Sequence, residues 1–183
     1  MYSRCGKISS HNKQNFVKND KVLKNIQKIY IMGITKEKVT DMEMKWYKYT
    51  DEGIKDSFFI REEVFVKEVG FSHDFEFDDS DRQALHLVLY ENARPVCNAR
   101  IIKEGENSYH LGRIACLARH RGKGYGKVAV NEAVRKAAEM GAKKVTLGAK
   151  YDKKTFYEKL GFTAYGDIFD EEGIPHINMY KDL

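Results

Sequence analysis

The sequence predicts a mixed α/β (α+β) fold: a mostly antiparallel sheet with helices on both faces. Three observations carry this reading. Apolar alternation recurs over residues 85–90, 96–102 and 109–117 at turn-length spacing, the pattern of an antiparallel meander. A glycine-rich turn and a helical-period segment then lead to another apolar run at residues 145–149. Such a strand–helix–strand unit sets two neighbouring strands parallel. Helical spacing also precedes the meander, over residues 52–69, so both sheet faces have a helix to cover them.

Taken in order, residues 45–49 alternate and form the first expected strand. Asp51 stands where it would cap the helix over 52–69. At about 100° per residue, Ile54, Phe58, Arg61, Phe65 and Glu68 share one stripe of that helix. Arg61 and Glu68 interrupt an apolar face, so either they pair with each other or Glu68 faces a pocket. The acidic residues Glu76, Asp78, Asp79 and Asp81 are read as a solvated loop, with attraction of a cationic amine as the alternative. Their spacing is not that of a calcium loop, and no metal is expected. His86, inside a strand, is read as structural. After the glycine-rich turn, Val130, Val134, Ala137 and Met140 recur at helical spacing and Gly141 stops the helix. Asp152 is placed to cap a short helix ending at Leu160, with Gly161 just beyond it. Residues 164–169 and 176–180 complete the order β-α-β-β-β-α-β-α-β-β.

The 183 residues fit one domain, 42–183, preceded by an extension, 1–41. Residues 1–40 hold nine Lys/Arg and two acids, a charge of +7, so the rest of the +5 chain carries −2. The basic character belongs to the extension, and no nucleic-acid partner is expected for the body. Within the extension, Val22, Leu23, Ile26, Ile29 and Tyr30 follow helical spacing among lysines, a short basic amphipathic segment. No apolar run approaches the ~20 residues of a membrane span, and no membrane partner is expected. Cys5, Cys97 and Cys116 are odd in number and lack C-x-x-C spacing. The expectation is therefore no disulfide framework, no zinc site and a cytoplasmic location.

The chemistry concentrates in Arg121-Gly122-Lys123-Gly124-Tyr125-Gly126, between a strand and a helix. Glycines there let backbone N–H groups close on an anion, and the helix turns its positive end to the same point. Arg121, Lys123 and Lys127 add full charges. The turn is neither a P-loop, since Gly126-Lys127 is followed by Val128, nor a dinucleotide fingerprint, since Lys127 stands where the third glycine belongs.

The segment does match R-x-x-G-x-G/A, and in this it resembles the acetyl-CoA signature of the GNAT superfamily. Arg113-Ile114-Ala115-Cys116-Leu117 precedes it as the fourth strand does in that family, and Phe156-Tyr157-Glu158-Lys159-Leu160-Gly161-Phe162 is similar to the family's F-Y-x-x-x-G-F segment. Val64-Phe65-Val66 with Glu68, the acidic residues 78–81, Asn98-Ala99-Arg100-Ile101 and Gly173-Ile174-Pro175-His176-Ile177 resemble its small ElaA/YjcF-like bacterial branch. The resemblance covers roughly residues 42–183.

The resemblance implies the acyl-CoA N-acyltransferase fold, with the fourth and fifth strands parallel and splayed. It implies acetyl-CoA as co-substrate and an N-acetyltransferase acting on an amine-bearing small molecule, peptide or protein. Pantetheine would lie along Ile114, Ala115 and Cys116, one of whose amides would polarise the thioester. Pyrophosphate would lie on Arg121, Gly122, Lys123, Gly124, Tyr125, Gly126 and Lys127. Tyr157 occupies the position of the usual general acid and also borders the coenzyme. Glu68 and His176 are the candidate bases, with His176 a substrate contact as the alternative. Lys150 stands where the branch has Gln, and either reaches a coenzyme phosphate or loses the contact. Acceptor specificity falls to the loops 70–82 and 166–175. A homodimer through the terminal strands is a family-level expectation. A non-catalytic acetyl-CoA sensor remains the alternative function, and a nucleic-acid partner for the basic arm is a third reading.

Overall fold

The computed structural model describes residues 41–183; the basic extension and its amphipathic segment, within 1–40, lie outside the described residues. Seven strands form one sheet in the order β1-β2-β3-β4-β5-β7-β6. They are β1 (Met42–Tyr47), β2 (Leu85–Glu91), β3 (Arg94–Lys103), β4 (Ser108–Cys116), β5 (Lys144–Lys150), β6 (Thr163–Glu171) and β7 (Ile174–Asp182). Every neighbouring pair is antiparallel except β4 and β5. The helices are α1 (Ile54–Arg61), α2 (His73–Glu76), α3 (Tyr125–Glu139) and α4 (Lys154–Glu158).

Helices cover both faces. The alanines Ala129, Ala133 and Ala137 of α3 are fully buried, and their small side chains let the helix lie close against Leu87, Leu111, Val145 and Leu147. On the opposite face, Ile60 and Val64 pack on Val88, Tyr90, Ala115 and Leu117. Met140, expected on the apolar stripe of α3, instead caps the helix and stands 43% exposed. Gly141 and Gly161 follow their helices with φ of 90° and 85°, the left-handed stop that glycine supplies without a Cβ clash.

Two helix starts differ from expectation. Asp51 accepts the Lys48 amide in a turn, and α1 begins after Gly53, where any Cβ would collide with the Tyr47 ring. Asp152 pairs with Lys153, and α4 begins at Lys154 without a side-chain cap. The first helix also changes character along its length. From Glu62 to Val69 it is a π-helix, ending at Gly70 with φ 91°. Its i→i+5 bonding turns successive side chains by less than an α-helix does, so Arg61 and Glu68 do not share a face.

Arg61 is fully buried, and its partners come from the acidic segment. Its Nε donates to Glu76 Oε1 (2.6 Å), and Nη1 and Nη2 donate to Asp81 (2.8 and 3.1 Å). Arg100 also donates to Asp81 (2.8 Å), and Arg113 pairs with Glu76 (3.1 Å) and Asp78 (3.2 Å). His86 Nε2 lies 3.1 Å from the Asp81 carbonyl, a structural position. The loop read as solvated is thus two short helical turns, α2 and a 3-10 turn at Asp79–Gln83, whose Glu76 and Asp81 are buried among arginines. Three arginines face three carboxylates, so the cluster is charge-balanced. Burial pushes the Asp81 carboxyl up, but hydrogen bonds and charge from Arg61 and Arg100 outweigh it and hold it below its ordinary value.

A second correction concerns the cysteines. Cys97 and Cys116 form a disulfide. They are direct partners across the β3–β4 ladder, a closeness that odd number and absent C-x-x-C spacing do not reveal.

Removing Arg61 would strand two buried carboxylates. Arg61→Ala is expected to lower unfolding stability by about 3–5 kcal/mol in urea titration. Arg135→Ala, which removes a half-exposed cation from the surface of α3, is expected to cost no more than about 1 kcal/mol. Equal losses from the two variants would show that the buried cluster does not hold the acidic segment.

Candidate acyl-transfer site

The site is built where two parallel strands separate. β4 and β5 pair only at Ser108↔Lys144, Tyr109↔Val145 and His110↔Thr146. Beyond that point β4 continues to Cys116 and β5 to Lys150 without bridging. The divergence begins where β4 is irregular: its register against β3 shifts between Asn98 and Arg100, and Arg113 has φ 50°. Asn98 Nδ2 donates to the Arg113 carbonyl (2.8 Å) and stabilises this bulge. The resulting edge of β4 opens into a cavity of about 510 Å³ between the strands.

Ile114, Ala115, Cys116, Arg121, Lys150 and Tyr157 all line that cavity. Arg121 opens the glycine-rich turn, whose remaining residues follow beyond the cavity wall. Gly122 and Gly124 have φ of 76° and 87°, conformations that L side chains rarely adopt. The α3 ladder begins with the Val128 amide on the Gly124 carbonyl (3.1 Å). The N–H groups of Tyr125, Gly126 and Lys127 therefore precede the first helical bond and point out of the helix end. The Tyr125 side chain is buried and donates to Glu91 (2.7 Å), so only its backbone serves the turn. Lys123 and Lys127 are exposed around it. This donor set, amides at a helix start flanked by cations, fits a pyrophosphate.

Arg121 bridges the cavity mouth. Its Nε donates to the Cys116 carbonyl (2.9 Å), and its two terminal nitrogens hold both Glu68 oxygens (2.6 and 2.7 Å). The hydrogen bond from Arg121 keeps the Glu68 carboxyl below its ordinary value. Lys150 Nζ stands 5.3 Å from the Phe71 ring centroid, and burial pushes its amine down. Because Cys116 Sγ is bonded to Cys97, it offers no thiol, and what it brings to the site is backbone.

Tyr157 is 9% exposed on α4, edge-on to Phe156 and Phe162. Burial alone raises its hydroxyl above the usual tyrosine range, so it keeps its proton throughout neutral pH. The other end of the cavity is walled by Phe71, Phe75, Phe169, Glu171, His176 and Arg113. His176 Nδ1 donates to the Ile174 carbonyl (2.8 Å), and Nε2 faces Glu171 (3.2 Å). The structure thus brings His176, Tyr157, Glu68 and the β4 edge into one cavity, with Glu68 and His176 each already partnered. It adds Glu76, Arg113 and His110, which the sequence reading did not single out as site residues. Glu76 Oε2 lies 3.1 Å from Arg113 Nε, and burial raises this carboxyl against the pull of Arg113 and Arg61.

Comparison with known proteins agrees with this architecture. The family model for the acetyltransferase (GNAT) domain matches residues 46–183. The uncharacterized N-acetyltransferase YjcF of Bacillus subtilis is 36% identical over 134 residues, 72% of this chain and 94% of that protein. A crystal structure of a Lactobacillus plantarum protein assigned to the N-acetyltransferases superposes with TM-score 0.72 at 28% identity, covering 78% of this chain and 98% of that one. Escherichia coli ElaA shares the fold with TM-score 0.69 at 23% identity over 77% of this chain and 99% of its own. Among the described residues no helix is long and apolar enough to cross a membrane, and no metal-binding cluster is found. From its strand order, its splayed parallel pair and its match over 46–183, this chain belongs to the GNAT acetyltransferase family, an acyltransferase working by CoA-dependent acyl transfer.

Proposed function

We propose that this chain moves the acetyl group of acetyl-CoA onto a primary amine by direct attack in a ternary complex. The observation that supports this most is the cavity itself, which runs along the edge of β4 that β5 leaves and is lined both by Arg121, the first residue of the glycine-rich turn, and by aromatic side chains. A coenzyme and an acceptor can approach the same point from opposite ends of such a slot. Acetyl-CoA, when bound, supplies the activated acyl carbon.

The chain's own groups have distinct tasks. The Gly122–Lys127 amides, Arg121, Lys123 and Lys127 bind the pyrophosphate, with Lys150 beside them. Within Ile114 to Cys116, an amide that points away from β3 orients pantetheine and polarises the thioester carbonyl. Tyr157 is the proposed general acid: it lines the cavity and retains a proton to give to the departing sulfur. Glu68 is the resting partner of Arg121, and His176 with Glu171 contacts the acceptor. The acceptor amine belongs to a small molecule, peptide or protein.

Tyr157→Phe is expected to lower kcat by roughly 100-fold while acetyl-CoA binding by calorimetry changes little. Tight binding with no thiol release from the unmodified chain, across a broad amine panel, would instead favour a sensor.

Arg121→Ala removes charge-assisted bonds to a phosphate and should weaken acetyl-CoA binding by about 10–100-fold, less so at high salt. Glu68→Gln releases Arg121 from its resting partner, so binding should hold or tighten and kcat should stay within a few-fold. A collapse of kcat in Glu68→Gln, with binding intact, would assign Glu68 as the base.

A further inference from the structure

On the transfer reading above, the amine must lose a proton, and most acceptors of a proton on the cavity wall are already engaged. Glu68 chelates Arg121 through both oxygens. Glu76 is fully buried between Arg61 and Arg113. Asp152 pairs with Lys153 (2.6 Å). His176 Nδ1 donates to the Ile174 carbonyl and Nε2 is taken up by the Glu171 carboxylate beside it, so both ring nitrogens are engaged.

His110 is different. It sits at the last β4–β5 register pair, opposite Thr146, at the vertex where the strands part. Thr146 Oγ1 donates to Glu104 Oε2 (2.7 Å), and His110 Nδ1 lies 3.1 Å from the same hydroxyl oxygen. A carboxylate only accepts, so the hydroxyl proton points at Glu104, and the oxygen's lone pair receives the Nδ1–H of the imidazole. This chain fixes the tautomer and leaves Nε2 with a lone pair. The ring edge carrying Nε2 lies over Gly112, where an added Cβ would stand 3.6 Å from Nε2. Gly112 and His110 both line the cavity. A glycine at this position keeps the approach to Nε2 open.

The structure assigns His110, a residue outside the sequence-derived site, as the group that takes the proton of the attacking amine, with Thr146 and Glu104 as its positioning residues. The amine nitrogen forms a bond to the acyl carbon and becomes acidic. Its proton passes to His110 Nε2, and the carbon–sulfur bond breaks with its electron pair leaving on sulfur. The sulfur accepts the proton of the Tyr157 hydroxyl. One proton lost by the imidazolium and one gained by the tyrosinate, through solvent, restore both groups. An acceptor arriving as an ammonium first gives its extra proton to solvent.

The surroundings keep this imidazole neutral. Burial lowers its pKa, the Arg100 and Arg113 charges on β3 and β4 lower it further, and Glu104 before β4 and Glu171 on β6 pull it partly back. The net shift is downward from the ordinary imidazole value, so the base-competent form prevails at neutral pH and is lost only as the pH falls through that lowered pKa.

The test uses the full chain with acetyl-CoA and, as probes, tyramine, spermidine and lysine amide. His110→Gln should lower kcat by roughly 10²–10³-fold and abolish the fall of kcat on the acid side. Acetyl-CoA affinity, read by calorimetry, should stay within about threefold, since the glycine-rich turn is untouched. Thr146→Val should lower kcat by about tenfold, and in ¹⁵N-histidine spectra convert His110 from a single Nδ1–H tautomer to a mixture. Activity of His110→Gln within threefold of the parent would overturn the assignment, as would an Nε2–H tautomer in the unmodified chain. If the unmodified chain binds acetyl-CoA but acetylates none of the probes, the transfer reading itself fails and carries the assignment with it. That outcome is recognisable because the parent, and not only the variant, is silent.

Discussion

The separation of β4 from β5 after three paired residues is the constraint on which the rest of this molecule depends. A parallel pair that stayed zipped would satisfy its backbone groups within the sheet and leave no slot. The break is held by local chemistry. Arg113 takes a positive φ, Asn98 captures its carbonyl, and the register against β3 shifts at the same place. On one side of the break the turn from Arg121 to Gly126 follows β4 directly; on the other, Tyr157 follows β5 by one short helix. The proposed coenzyme cradle and the proposed proton donor are therefore close in the chain to the two strands that part.

The buried ion cluster serves the same break from the opposite face. Arg113, at the bulge, also donates to the Phe75 carbonyl and pairs with Glu76 and Asp78. Through Glu76 it reaches Arg61 on α1, and through Asp81 the same network reaches Arg100 on β3 and the carbonyl beside His86 on β2. A buried pair of this kind is poor evidence of extra stability against an apolar alternative. What it does here is tie the segment from α2 to the 3-10 turn against the bulge, so that Phe71 and Phe75 face the cavity. The aromatic wall of the cavity and the splayed end of β4 share one set of charges.

Much of this was legible in the sequence, and the misses have physical reasons. The meander, the crossover and the glycine-rich turn announce themselves through local alternation, helical period and glycine spacing, and each lies within a residue or two of its expected place. The pairing of Arg61 was not legible, because a 100° wheel assumes an α-helix and the chain becomes a π-helix at Glu62. Glu76 and Asp81 looked solvated because nothing local shows that Arg61, Arg100 and Arg113 converge on them from three other elements. The bond between Cys97 and Cys116 depends on strand register, which spacing does not encode. His110 was silent for the same reason: its partners Thr146 and Glu104 become neighbours only through the parallel β4–β5 pairing.

The charge along the slot then says which form of the acceptor can react. The proposed coenzyme lies toward Arg121, Lys123 and Lys127, cations of the kind a polyanion requires. The aromatic part of the slot also has carboxylates, but Glu76 is matched by Arg61 and Arg113, and Glu171 is engaged by the His176 ring. Its walls are aromatic: Phe71, Phe75 and Phe169. An amine entering such a chamber is desolvated, which disfavours its charged form. On the proposed transfer to an amine, such a chamber would favour the neutral nucleophile over the ammonium, and a strong base would be unnecessary. A weakly basic imidazole suffices, because it need only accept the proton that bond formation has already made acidic.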